Sequence, residues 1–179
     1  SRGAKTILTS SGWRPLDLVN VGDLNGDGRG EALLLARRVD KDNFGFFTVD
    51  LAARRKLTRK AYSTPWQPLA LAADPAGAPA AAFLAHRRSN GRPLQRMVDP
   101  QDGAFGGNRS AFASGWRGRA IAVRTAAGEA GSVEPESVAL GIDSDSGAAI
   151  AERRNAAGRR LTQTLVVPPD PTTDPPPTQ

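Results

Sequence analysis

The chain has 179 residues, 39% of them hydrophobic and 6% aromatic, with no cysteine and a formal net charge of +6. That length supports one domain with a core of its own, and the lack of cysteine excludes disulfides and thiolate metal sites. No run approaches the roughly 20 apolar residues of a membrane-spanning helix, so no membrane insertion is expected. No amino-terminal secretory signal is visible, which leaves a cytosolic chain, a mature form or an excised fragment.

Repetition is the largest-scale pattern. Ser11-Gly12-Trp13-Arg14, Thr64-Pro65-Trp66-Gln67 and Ser114-Gly115-Trp116-Arg117 open three similar stretches, with the tryptophans 53 and 50 residues apart. A period of about 50 suits a propeller blade of four strands. The expected fold is all-β: about three four-stranded propeller-type blades forming an incomplete propeller, with an extended Pro-rich tail. Residues 1–10, with Lys5 to Thr9, read as the outer strand of a preceding or partner blade. Blades 1, 2 and 3 then cover residues 11–63, 64–113 and 114–167.

In the first repeat, Pro15 to Val19 reads as a strand leading into Asp23-Leu24-Asn25-Gly26-Asp27-Gly28-Arg29-Gly30-Glu31. Oxygen side chains occupy positions 1, 3, 5 and 9 of that loop, and Gly28 at position 6 permits a sharp turn. A hard cation such as Ca2+ takes about six to eight oxygens at roughly 2.3–2.6 Å, and the Arg29 carbonyl would add the oxygen of position 7. An EF-hand would need a carboxylate at position 12 and flanking helices; position 12 is Leu34, and the flanks read as strands. The apolar run Ala32 to Ala36 suits a strand buried on both faces. Phe44 to Val49 and Leu57 to Tyr62 complete the unit.

Gly22-Asp23-Leu24-Asn25-Gly26-Asp27-Gly28 and the strand that follows resemble the FG-GAP/VCBS repeat family, the calcium-bearing blades of integrin-type β-propellers. The resemblance implies that this loop joins the first two strands of a blade and holds one Ca2+. It implies Asp23, Asn25, Asp27, Arg29 (through its carbonyl) and Glu31 as the ligands. The family usually has Asp at the last position, where this chain has Glu31.

In the second repeat, Leu69 to Ala72, Ala81 to His86 and Leu94 to Val98 read as strands, with Asn108 to Phe112 as the outer one. Its loop, Asp74 to Pro79, keeps one carboxylate and has lost the other oxygens, so no ion is expected there. His86, the single histidine, reads as a surface or packing residue. In the third repeat, Ala120 to Val123 and Val138 to Ile142 flank a longer loop, Arg124 to Ser137, whose Glu129, Glu134 and Glu136 lack the alternating spacing. Asp143-Ser144-Asp145-Ser146-Gly147 reads as a hairpin turn, Ala148 to Glu152 and Leu161 to Val166 as strands. Pro168 to Gln179 is a Pro-rich linker expected to extend as polyproline II.

No catalytic set emerges: there is no second histidine, no serine in a nucleophile-elbow context and no phosphate-cradling glycine loop ahead of a helix. The basic pairs at Arg37, Arg54, Arg87, Arg153 and Arg159 are scattered, not clustered with aromatics as in a nucleic-acid face. The expected function is therefore a non-catalytic module, calcium-stabilised, for binding, adhesion or assembly of a surface structure. Its partners would be other blades of the same parent chain or of another copy, and a protein or glycan ligand. An extracellular, cell-surface or periplasmic place suits a weak calcium loop, because calcium near millimolar fills it. The alternatives are an accessory domain of a larger secreted carbohydrate-active enzyme and a basic module for anionic polymers.

Overall fold

The computed structural model describes residues 12–41, 43–63, 65–106, 112, 115–127 and 133–167. The expected strand at Lys5 to Thr9 and the Pro-rich tail lie outside the described residues. Among the described residues, twelve strands form three four-stranded antiparallel sheets, each wound in chain order, and there is no helix. The first sheet holds β1 (Trp13–Asn20), β2 (Glu31–Arg38), β3 (Asn43–Asp50) and β4 (Arg55–Ser63). The second holds β5 (Trp66–Ala73), β6 (Ala81–Arg87), β7 (Pro93–Val98) and β8 (Phe105–Gly106). The third holds β9 (Trp116–Ala127), β10 (Val133–Asp143), β11 (Ala149–Asn155) and β12 (Arg160–Val167).

Each tryptophan begins the first strand of its sheet, and the same irregularity follows it. The pairing register shifts at Leu16 in β1, at Leu69 in β5 and at Arg119 in β9, each three residues beyond the tryptophan. A bulge adds one unpaired residue and bends its strand. Pro15 and Pro68 precede the first two, where the missing N–H costs least.

The sheets stack in series and do not close into a ring. First strands lie side by side, β1 against β5 and β5 against β9. Consecutive residues of β6 serve opposite neighbours, which is why Ala81 to Ala85 is apolar throughout and fully buried. Ala81, Phe83 and Ala85 face the first sheet and join Leu33, Leu35, Phe44 and Phe46. Ala82 and Leu84 face the third, meeting Val123, Ala139 and Ile150. The Phe83 ring stacks on Phe44 at 5.0 Å and stands edge-on to Phe46 at 5.3 Å. Burying such a side chain contributes about 1.5–3 kcal/mol.

Polar straps fix how neighbouring sheets align. The Leu71 amide donates to Asp17 Oδ2 at 2.9 Å, and the Tyr62 hydroxyl to the Gly103 carbonyl at 2.7 Å. Gln95 Nε2 donates to Ser137 Oγ at 2.7 Å, joining the second sheet to the third. In β2 the residues facing away from the second sheet, Leu34 and Ala36, cluster with Phe47, Val49 and Trp13.

One local expectation changes. Arg124 to Ser137 is not one long loop: β9 and β10 stay paired out to Ala127 and Val133, with Arg124 opposite Glu136. Alternating small and polar residues there continue the ladder without an apolar run to announce it. The described fourth strand of the second sheet is Phe105–Gly106; Asn108 to Ala111, expected to supply it, lie outside the described residues.

Candidate metal centre

The β1–β2 connection is closed at its base by the Val21 amide donating to the Glu31 carbonyl at 3.0 Å and the Glu31 amide to the Gly22 carbonyl at 2.8 Å. Leu24 packs down onto the core between the first two sheets. Gly22 has φ +77°, and a Cβ there would come within 2.2 Å of the Gly77 carbonyl oxygen. Glycine is required on both counts, because the loops of the first two sheets touch at this point.

Above that base, side-chain oxygens pull the loop amides inward. Asp23 Oδ1 accepts from the Gly26 and Asp27 amides at 2.7 and 3.2 Å, and Oδ2 from the Gly28 amide at 2.7 Å. Asn25 Oδ1 accepts from the Asp27 amide, and Asp27 Oδ1 from the Arg29 amide, each at 2.9 Å. Glu31 Oε2 accepts from the Leu24 amide at 2.6 Å and Oε1 from the side-chain Nδ2 of Asn25 at 2.8 Å. The Gly28 amide, reinforced by those of Gly26, Asp27 and Asn25, outweighs partial desolvation and holds the Asp23 carboxyl below the usual carboxylate range.

The outcome is convergence. Asp23, Asp27 and Glu31 each bring a carboxylate oxygen within 4.8 Å of the others. Asp23 and Asp27 are exposed, whereas Glu31 is only 1% exposed. Asn25 stands beside the trio through its bond to Glu31, and Arg29 joins the turn through its backbone amide. No lysine or arginine pairs with the three carboxylates among the described residues. An all-oxygen anionic donor set of this kind suits a hard cation of the calcium or magnesium class.

Register shows what became of this corner in the other repeats. The Asp74 amide donates to the Ala80 carbonyl at 3.1 Å, as Val21 does to Glu31. Asp74 therefore occupies the place of Val21, and Ala80 that of Glu31, with five residues between them where the first loop has nine. Asp74 is not the remnant of Asp23 that its position in the sequence suggests. In the third sheet Arg124 pairs with Glu136 at the same point, so Glu136 is the counterpart of Glu31. Glu31 stands immediately before the apolar run of its second strand and Glu136 one residue further off, across Ser137. Glu136 is buried too, but Arg124 and Arg153 both reach it at 2.9 Å. Desolvation pushes its carboxyl up, and the two arginines outweigh that and set it below the usual range.

No protein-family model matches the chain, and no curated protein matches it. Among solved structures, a Bacillus megaterium YpeB C-terminal domain aligns over 89% of this chain and 92% of its own, at 7% identity and a TM-score of 0.24. A likeness that faint carries no argument about fold or function.

Proposed function

We propose that this chain is a calcium-stabilised module of FG-GAP/VCBS type: three propeller-type blades that bind, adhere or assemble at a cell surface or outside the cell, without catalysis of their own. One observation carries the metal reading. Glu31 and Glu136 are buried at the same place in the repeat; two arginines compensate Glu136, whereas Glu31 has two further carboxylates beside it. A buried carboxylate needs compensating charge or dense hydrogen bonding. Two hydrogen bonds serve Glu31, and a cation bound by Asp23, Asp27 and Glu31, with Asn25 and the Arg29 carbonyl, would supply the charge.

The stacking supports the propeller reading. The third sheet leaves Val138, Leu140 and Ile142 half-buried on the face that corresponds to the one by which Leu84 of the second sheet meets the third. A further blade, from the same parent chain or another copy, would cover this side.

Thermal unfolding with calcium and with chelator tests the metal role. Saturation at a hundred times the dissociation constant adds about 2.7 kcal/mol, or roughly 5–10 °C for a chain of this size. The Asp27→Asn variant should lose that gain. A midpoint indifferent to calcium would remove the proposal's basis.

A further inference from the structure

We propose that the seam between the second and third sheets, at the end remote from the acidic loop, is a binding site for the oxyanion group of a small ligand: a carboxylate, sulfate or phosphate. A cavity of about 430 Å³ opens there, lined by His86, Asn90, Trp116, Arg117, Arg119 and Ser144 among others. A second, of about 280 Å³, shares Arg117, Arg119 and Ser144. The larger volume lies within the range of small-molecule sites.

The bulge of β9 puts the two arginines there. Gly118 faces inward, where a Cβ would already be 3.1 Å from Leu84, and the register slip at Arg119 brings the side chains on either side of Gly118 to the same cavities. The corresponding bulge residues are Leu16 and Leu69, so a guanidinium at this position is peculiar to the third sheet. No carboxylate pairs with Arg117 or Arg119 among the described residues. Asp143, which lines the second cavity, spends Oδ1 on the Asp145 and Ser146 amides and the Ser146 hydroxyl. Two guanidinium forks without carboxylate partners, facing one cavity, match a planar or tetrahedral oxyanion.

His86 completes the charge pattern. Burial first, then Arg88 on its own turn and Arg117 across the seam, push its imidazole below the ordinary value. Arg119 lines the same cavity, and no acid does so among the described residues. His86 is thus neutral at pH 7, and a bound anion would favour its protonated form. By reciprocity, binding should tighten as the pH falls through its midpoint.

Because the chain has one histidine, its two ring C–H protons give one unambiguous imidazole titration in proton NMR. The probes are sulfate, inorganic phosphate and glucuronate, with glucose and equal ionic strength of chloride as references. Saturable binding of at least one oxyanion should raise the His86 midpoint by about one pH unit, equivalent to about tenfold tighter binding below it. Which probe binds at the lowest concentration identifies whether the ligand bears a carboxylate, sulfate or phosphate. Arg119→Leu, which restores the residue of the other two bulges, should abolish the effect and leave the melting midpoint unchanged. Arg14→Gln, at the place in β1 corresponding to Arg117, should leave it intact. A His86 shift no larger than chloride produces, or one that survives Arg119→Leu, would overturn the assignment.

Discussion

Two buried glutamates, Glu31 at the mouth of the first sheet and Glu136 at the same point of the third, meet the same demand with different resources. Glu136 draws on Arg124 of β9 and Arg153 of β11, both reaching it across the sheet. Glu31 has Asp50 opposite it in β3, and that carboxylate is occupied by the Ala53 amide and Arg55. Asp23 and Asp27, held in place by loop amides, each bring a carboxylate oxygen within 4.8 Å of a Glu31 carboxylate oxygen. The first and third sheets therefore share a buried carboxylate at this corner, where the second has Ala80, and differ in where the compensating charge comes from. In the third sheet it comes from the chain itself. In the first, the loop is folded around a place where an external cation would supply it.

The largest effect should come from depriving Glu136 of its arginines. The double variant Arg124→Leu, Arg153→Leu leaves an uncompensated buried carboxylate. Breaking a fully buried pair costs about 3–5 kcal/mol. Both arginines are partly exposed, so about 2–3 kcal/mol is expected, a fall of roughly 5–10 °C in melting midpoint. Calcium should not restore it: among the described residues Glu136 belongs to no group of three or more converging carboxylates. Restoration by calcium would show that the two corners do not differ as described.

Glu31→Gln sharpens the comparison by changing sign. Without calcium it removes one charge from a crowded trio and should raise the midpoint by about 2–4 °C, the shift of about 1 kcal/mol. With calcium it removes a ligand and should lower the midpoint relative to the unaltered chain. The same sign under both conditions would mean that Glu31 acts only through its hydrogen bonds.

Acid should produce the smallest and most gradual change. The Glu136 carboxyl lies below its usual range in the folded chain, against about 4.3 when unfolded. Its contribution is fully present above the unfolded value and disappears as the pH falls through the lowered folded one. Asp23 shifts in the same direction through the Gly28 amide and so follows the same sign. Apart from a small decline below about pH 6.5 from His86, whose imidazole is held below its ordinary value, melting midpoints should be flat from neutrality to about pH 5 and fall below about pH 4. Replacing Arg153 by Leu should flatten that descent. The calcium increment should vanish over the same interval as the ligands protonate.

Much of the architecture was readable before the structure because it rests on local signals. Each tryptophan marks a first strand, each apolar run a second, and Asp143 to Gly147 the turn its composition suggests. The acidic loop was readable for the same reason, since its glycines and alternating oxygens lie within nine residues. What escaped depends on register, which is set between strands. That Asp74 stands where Val21 does follows from one backbone hydrogen bond, while the sequence offers only a nearby carboxylate. The kinship of Glu31 and Glu136 was hidden because the hairpins before them differ in length. The arginine-lined seam needed the bulge at Arg119, which no local pattern announces.

The most direct test is a calorimetric titration of the metal-free chain with calcium, run beside Glu31→Gln. One calcium bound saturably per chain, with affinity reduced at least tenfold in the variant, is the expected result. A flat titration, or equal binding by both proteins, would contradict the assignment of a cation to Asp23, Asp27 and Glu31.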